Sequence, residues 1–249
     1  MIEDFGVLEN CIFAFGVMLA FAVRSGAGFG GGVVAVPVLA LAAPLQMVVP
    51  VSSALNIISG LSQGVREWRK VEWREMRRIL PFALAGVLIG IWLLAKVDPK
   101  PLSHAFGIFI IAYAIYMLRM GGRAPTIPRR WLILVAAVAS FLGGFIGSIF
   151  GGAAGPVFAI YLQSLHIEKD QFRATMTMLM LTLGGTRVAG FVIAGLYTGK
   201  VLMLLAWSIP LVFIGAYAGA HVVKRLDQRR FNLGIACVML ASGVILVVR

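Results

Sequence analysis

Dense glycine clusters beside apolar segments are the feature of this sequence best suited to binding a small negative solute. The first cluster is Gly28-Phe29-Gly30-Gly31-Gly32. Where glycine is this dense, backbone N–H groups can point into a cavity, and a half-helix beginning there directs its positive dipole end at an anion. A second cluster, with Gly151 and Gly152, lies in the other half of the chain. The structural alternative is that these glycines only let membrane helices pack closely.

An arginine inside an apolar segment is the second candidate for anion binding. Arg187 lies within the segment Phe172–Leu196, where a charge costs at least about 2.5 kcal/mol and usually faces a polar cavity or a partner. Arg66 has the same Gly-x-Arg context, and the two arginines could flank an anion with planar donor forks. Structural alternatives stay open: Arg66 can simply begin a basic loop, and Arg187 can bond freed carbonyl groups. Arg24, just before the first cluster, is either a site residue or an interface anchor.

Polar side chains at helical spacing form a stripe that could line a solute pathway. Ser52, Asn56, Ser59 and Gln63 share one face of the third apolar segment. Such a stripe either lines a pathway or hydrogen-bonds neighbouring helices. We take Asn56 and Gln63 as candidate substrate-binding residues.

No arrangement of residues in the sequence points to catalysis or to a resident metal. The histidines are scattered at segment ends, without Cys or carboxylate at ligand spacing: His104, His166 and His221. Ser148 and Ser164 lack a neighbouring base, and no nucleophile elbow is found. We therefore expect no enzyme activity, no metal and no other cofactor.

The chain carries an internal repeat. Two sets of residues in the first half recur at the same spacing in the second half. The first set, Gly26, Phe29-Gly30-Gly31 and Arg66, recurs as Gly147, Phe150-Gly151-Gly152 and Arg187. The second set, Pro81, Gly86, Gly90 and Asp98, recurs as Pro210, Gly215, Gly219 and Asp227. Two homologous halves, about residues 7–119 and 131–248, predict a single transporter domain over residues 1–249 with a pseudo-two-fold axis. The matching glycine breaks should then meet at the binding site.

Composition places the chain in a membrane. Of its 249 residues, 60% are hydrophobic and 13% charged, and the mean hydropathy is +0.95. A net charge of +12 could suggest nucleic acid, but the basic residues sit at the ends of apolar runs, where they set topology and contact anionic headgroups. We expect the lipid bilayer as a partner and no nucleic acid. Cys11 and Cys237 lie in apolar segments and are expected to be small core residues.

Ten apolar segments can be drawn, five in each half. They are about Val7–Val23, Val33–Ala43, Met47–Val65, Ile79–Ala95, Leu102–Leu118, Trp131–Ser148, Ala153–Leu165, Phe172–Leu196, Val201–Val222 and Phe231–Val248. The second and seventh are shorter than the ~20 residues of a full span, follow glycine clusters and contain a proline. They predict broken or re-entrant helices, tolerated where protein or water covers the freed backbone groups. The predicted fold is all-α.

Loop charge sets the orientation of these segments. Basic residues concentrate around residues 66–78, 119–130 and 224–230. The positive-inside rule makes these loops cytoplasmic and puts both termini outside. Because five segments is an odd number, the two halves would run in opposite directions, as inverted-topology repeats. The stretch Val65–Arg78 is either a short interfacial helix or an ordinary loop.

Two stretches give the chain a family resemblance. They are Gly26-Ala27-Gly28-Phe29-Gly30-Gly31-Gly32 followed by Val36-Pro37-Val38-Leu39, and Phe150-Gly151-Gly152-Ala153-Ala154-Gly155-Pro156. On these residues the chain resembles the TauE/SafE sulfite exporter family of membrane permeases. The resemblance covers nearly the whole chain and implies a multi-pass inner-membrane protein. It also implies transport of small sulfur-containing or carboxylate anions, such as sulfite, sulfonates or sulfoacetate.

The expected function is secondary transport of a small anion, in the direction of export, by alternating access. The anion would sit near the bilayer midplane between the two glycine breaks. An anion channel shares the fold and differs in rate; a membrane-embedded enzyme or a regulatory membrane protein is the alternative from a different class. The sequence leaves open whether the chain acts alone or as a homodimer.

Overall fold

The computed structural model describes residues 6–27, 31–120, 132–151, 155–165, 167–222 and 228–248, and all regular structure in these ranges is helical. The α-helices are α1 (Val7–Ala27), α2 (Gly31–Leu39), α3 (Leu45–Glu67), α4 (Trp73–Lys96), α5 (Pro99–Met120), α6 (Leu132–Ile149), α7 (Gly155–Ser164), α8 (Lys169–Ile193), α9 (Gly199–Val222) and α10 (Gln228–Val248). A 3₁₀ turn at Trp68–Lys70 joins α3 to α4. Each helix corresponds to one predicted apolar segment, so the all-α class is confirmed for the described ranges.

Several of the helices are suited to crossing a membrane. Within the described residues, α4, α8 and residues Gly199–Gly219 of α9 are long and apolar enough to span a bilayer. Residues Leu45–Leu61 and Gly64–Lys70, which meet at 47°, are a fourth candidate if together they form one broken span. By contrast α2 and α7 have 9 and 10 residues, fewer than the ~20 of a full helical span. These are the short helices that the sequence predicts after its glycine clusters.

Glycines bring helices of the two halves into backbone contact. α4 packs along α6, where a Cβ on Gly86 would overlap the carbonyl oxygen of Phe141 and a Cβ on Gly144 would overlap that of Ala83. α9 packs along α1 in the same way, because a Cβ on Gly215 would overlap the carbonyl oxygen of Met18. Backbone-to-backbone contact of this kind leaves no room for a side chain.

The third pair between the halves, α3 with α8, is antiparallel. A Cβ on Gly60 would lie 3.2 Å from Leu181 Cδ2, and a Cβ on Gly184 would lie 3.2 Å from Ile57 Cγ1. Residue numbers therefore fall along α8 as they rise along α3. α5 and α10 form a fourth such pair.

One expectation about these segments is corrected by the structure. Cys11 and Cys237 are exposed on the surfaces of α1 and α10, so their expected core placement is wrong. A small side chain in an apolar segment faces lipid as readily as protein.

The α4–α6 contact predicts a stability difference between two glycine substitutions. We expect Gly144→Ala to destabilise the protein by about 1–3 kcal/mol, since the added methyl group has no space. Gly234→Ala is the control: it lies in α10 with no atom within 4 Å of an added Cβ, and it should be neutral or slightly stabilising. Thermal unfolding in detergent, at about 2–4 °C per kcal/mol, separates them. Equal unfolding temperatures would contradict the packing.

Candidate functional site

Arg187 is held in the protein interior between α8 and α6. Only 4% of the residue is exposed. Its Nη1 donates to the carbonyl oxygen of Gly147 at 2.5 Å, and its Nε donates to that of Leu183 at 3.2 Å. Gly147 lies in the last turn of α6, where helix carbonyls lack partners of their own. The guanidinium therefore bonds a carbonyl freed by the second helix break, which is the structural role that the sequence left open.

Arg24 is directed into the helix bundle rather than toward a membrane interface. It lies in the last turn of α1, and its Nη1 donates to Oδ1 of Asn56 in α3. A Cβ on Gly60 would come within 2.8 Å of its Nη2. The guanidinium therefore rests on α3, over the space that Gly60 leaves free.

The two guanidinium groups lie at a similar depth in the bundle. Asn56, the partner of Arg24, is at the midpoint of α3, and Leu183, a partner of Arg187, is close to the midpoint of α8. α3 and α8 are paired near their midpoints through Gly60 and Leu181. Both guanidinium groups therefore lie beside the middle of the α3–α8 pair.

Neither guanidinium has an acidic partner within the described ranges. The ion pairs found there are Lys70–Asp170, Arg78–Glu75 and Arg173–Glu67. Two of them join the end of α3 and the turn that follows it to the start of α8, and Arg78–Glu75 lies within the first turns of α4. A buried charge without an opposite charge is strongly unfavourable. A small anion in the bundle would supply that missing charge.

The second glycine break lies against the helices that follow the first one. Gly151 has φ of +62°, a conformation that side chains disfavour. A Cβ there would lie 2.6 Å from Val36 Cγ2 in α2 and 2.8 Å from Ser52 Oγ in α3. The first turn of α2 contains Gly31 and Gly32. The remaining candidates of the clusters, Gly28, Gly30 and Gly152, lie outside the described residues.

The structure does not bring Arg66 together with Arg187. Arg66 is exposed in the last turn of α3. Nearby Gly64 packs against Leu181 and Thr177 of α8, from which Arg187 is about 9 to 15 Å further along the helix at ~1.5 Å per residue. Gln63 belongs to α3, and its side chain lies outside the described part.

Gly60 is the site residue that sequence reasoning missed. The available signal was its spacing, since Ser52, Asn56 and Gly60 follow each other at four-residue intervals on one helix face. Glycine adds nothing to a polar stripe, so only the position of Arg24 reveals its role.

Polar side chains tie the two halves together at the end where α3 stops and α8 starts. Arg173 donates two hydrogen bonds to Glu67, and Lys70 pairs with Asp170 at 2.5 Å. The other bonds in this polar network are Gln171 Nε2 to Glu72 Oε1 at 2.7 Å, Glu72 N to Thr175 Oγ1 at 2.9 Å and Tyr161 OH to Glu75 Oε2 at 2.8 Å. In the described residues, the opposite end has a bond between the halves from Tyr197 OH to Pro50 O at 3.0 Å.

A cavity of about 230 Å³ opens at that opposite end. The turn after α2 and the start of α5 line it, with Ala40, Pro44, Lys100 and His104 among the lining residues. Neither Arg24 nor Arg187 is among its lining residues. Lys100 and His104 are the ionisable residues that line it.

Comparisons with known proteins agree on one kind of protein. A family model described as sulfite exporter TauE/SafE matches residues 12–246, from α1 to α10. The probable inner membrane transporter protein TsaS of Comamonas testosteroni is 26% identical over 192 residues, which cover 76% of this chain and 78% of that relative. No solved structure matches the chain.

The polar network predicts a charge-swap result. We expect Arg173→Glu to lower the unfolding temperature in detergent by a few degrees, because it places two carboxylates together, each such repulsion being worth about 1 kcal/mol. The double variant Glu67→Arg with Arg173→Glu should recover most of the loss. A double variant no more stable than Arg173→Glu alone would show that this pair does not join the halves.

Proposed function

We propose a transport function from the premise that the chain belongs to the sulfite exporter TauE/SafE family. The family and the relative point to a membrane transporter rather than an enzyme. Our finer proposal is a secondary transporter that exports a small anion from the cell across the inner membrane. The substrate class is sulfite, sulfonates and related sulfur-containing or carboxylate anions.

The observation that carries this proposal is a pair of arginines, Arg187 buried and Arg24 partly buried, that have no carboxylate partner within the described residues. Arg24 bonds an amide oxygen, and Arg187 bonds two backbone carbonyls. These are neutral acceptors, so the positive charge at mid-depth stays uncompensated. Guanidinium forks suit the oxygens of sulfite, sulfonates and carboxylates. We place the substrate between these arginines, next to Gly151 and the first turn of α2 with Gly31 and Gly32.

Helix pairing supports the inverted-repeat part of the proposal. Exchanging the halves turns α1 into α6 and α4 into α9. The α1–α9 pair then becomes the α6–α4 pair. The α3–α8 pair and the α5–α10 pair each map onto themselves. All of these pairs are in contact in the structure. The antiparallel course of α3 and α8 is what an axis in the membrane plane requires. Gly60 and Leu181 are equivalent positions of the repeat and contact each other, which puts the axis close to them.

Alternating access requires two conformations, each closed at one end of the bundle. The polar network closes the end that the basic loop at residues 66–78 marks as cytoplasmic. The cavity with Lys100 and His104 lies at the other end. We assign this conformation as closed to the cytoplasm, and transport requires the network to part as the halves rock against each other.

Substrate binding is tested with Arg187→Met. In proteoliposomes, we expect the wild type to carry sulfite with saturable kinetics, and Arg187→Met to reduce the flux at least about tenfold, the effect of losing a charged hydrogen bond. The variant should still fold, because apolar replacements of buried charges are often tolerated. Arg119→Met, which removes an exposed arginine at the end of α5, is the matched control.

Wild-type flux in Arg187→Met would remove this residue from the site. Flux that rises without saturation and gives single-channel currents would favour the channel instead.

Topology gives a second test. Because each half has five segments, we expect tags at Met1 and Arg249 to be reached by impermeant reagents from the outer side of the inner membrane. Labelling on opposite sides would contradict the inverted repeat. A tag in the loop at residues 121–131 is the internal control and should stay protected until the membrane is opened.

A further inference from the structure

We propose that Asn56 is a positioning residue: it holds Arg24 ready for the anion in the empty transporter and is displaced from Arg24 by the anion. This inference rests on the proposed function. It gives the two arginines different roles in binding the anion. Arg187 is the fixed cation of the site, and Arg24 is the one that exchanges its partner.

The amide of Asn56 is oriented by its own helix. Its Nδ2 donates to the carbonyl oxygen of Ser52 at 2.7 Å. That bond leaves Oδ1 as the group that faces Arg24, whose Nη1 donates to it. A neutral amide oxygen satisfies the guanidinium geometrically but leaves its charge in place. An oxyanion offers the same kind of acceptor with a full negative charge, so it is the stronger partner.

The two arginines differ in how firmly they are held. Arg187 bonds two backbone carbonyls, one of them at the end of α6, and these cannot turn away without moving a helix. Arg24 bonds a side-chain amide, which needs only a rotamer change to release it. Exchange of partners is therefore possible at Arg24 without unfolding any turn.

Gly60 gives Arg24 its place on α3. Its missing side chain makes the space in which Nη2 rests, 2.8 Å from where a Cβ would stand. Leu181 of α8 borders the same space, 3.2 Å from that Cβ position. Arg24 thus lies next to the contact between equivalent residues of the two halves. A ligand bound there contacts both halves at once.

Ser52 links this arrangement to the second helix break. Its carbonyl oxygen accepts from Asn56, and its Oγ lies 2.8 Å from the position of a Cβ on Gly151. Arg24 lies in the last turn of α1, the helix before the first break, and Gly151 is part of the second break. The chain from Arg24 through Asn56 to Ser52 therefore connects the two breaks across α3.

The first experiment changes only the charge of the acceptor. Asn56→Asp gives Arg24 a permanent carboxylate partner that a substrate anion must displace. We expect the KM for sulfite in proteoliposomes to rise about tenfold or more, the range for a charged hydrogen bond, with a much smaller change in kcat. Without anion, Asn56→Asp should raise the unfolding temperature, and in an Arg24→Gln background the same change should lower it, because the new carboxylate is then unpaired.

The second experiment moves Arg24 without touching a polar group. Gly60→Ala should displace the guanidinium and raise the KM for sulfite several-fold. Gly185→Ala is the control: it lies in α8, which packs against α3, and no atom lies within 4 Å of its added methyl group. The control should keep the wild-type KM.

These results separate the inference from the proposed function. If the wild type carries no anion, the proposed function fails. If the wild type carries sulfite while Asn56→Asp and Gly60→Ala keep its KM, the role of Asn56 is overturned and the transport proposal stands. An unfolding temperature that Asn56→Asp changes equally with and without Arg24 would also overturn it.

Discussion

The uncompensated positive charge of two guanidinium groups, Arg187 buried and Arg24 partly buried, is the constraint around which this helix bundle is arranged. Arg24 and Arg187 lie in the middle of an apolar layer and use only neutral acceptors. A membrane interior tolerates such groups only where every donor finds an oxygen. One of those oxygens, the carbonyl of Gly147, lies in the last turn of α6 at the second break, and the others belong to Leu183 in α8 and Asn56 in α3. Helix break and continuous helices together therefore accommodate the charge.

Glycine serves two separate purposes in this fold. At Gly86, Gly144 and Gly215 it lets helices of opposite halves touch backbone to backbone, which holds the bundle together where apolar burial gives little preference over lipid. At Gly151 its positive φ turns the chain at the second break. The first purpose gives rigid helix pairs, and the second leaves backbone groups available to a ligand. A transporter needs both, because rigid halves must move around a site that stays intact.

The site illustrates how far a repeat can guide the search for function. The repeat directed attention to Arg187 and to the glycine breaks, and it paired Arg187 with Arg66 because the two occupy equivalent positions. The structure puts Arg66 at an exposed helix end and brings Arg24 into the bundle, although its equivalent is Phe145. Pseudo-symmetry relates backbones, whereas a single anion requires no symmetric set of side chains. Asymmetric site residues are therefore invisible to a comparison of the halves.

The sequence alone determined the all-α class, the ten segments and the two short helices, because hydrophobic length and glycine or proline breaks are local properties of the chain. It also determined that Arg187 is exceptional, since its surroundings along the chain are apolar. Only the tertiary structure decided that Asn56 faces Arg24, that Gly60 makes room for it and that Glu67 pairs with Arg173. Those contacts join residues far apart in the sequence, and their geometry follows from how helices of the two halves pack, which no local pattern encodes.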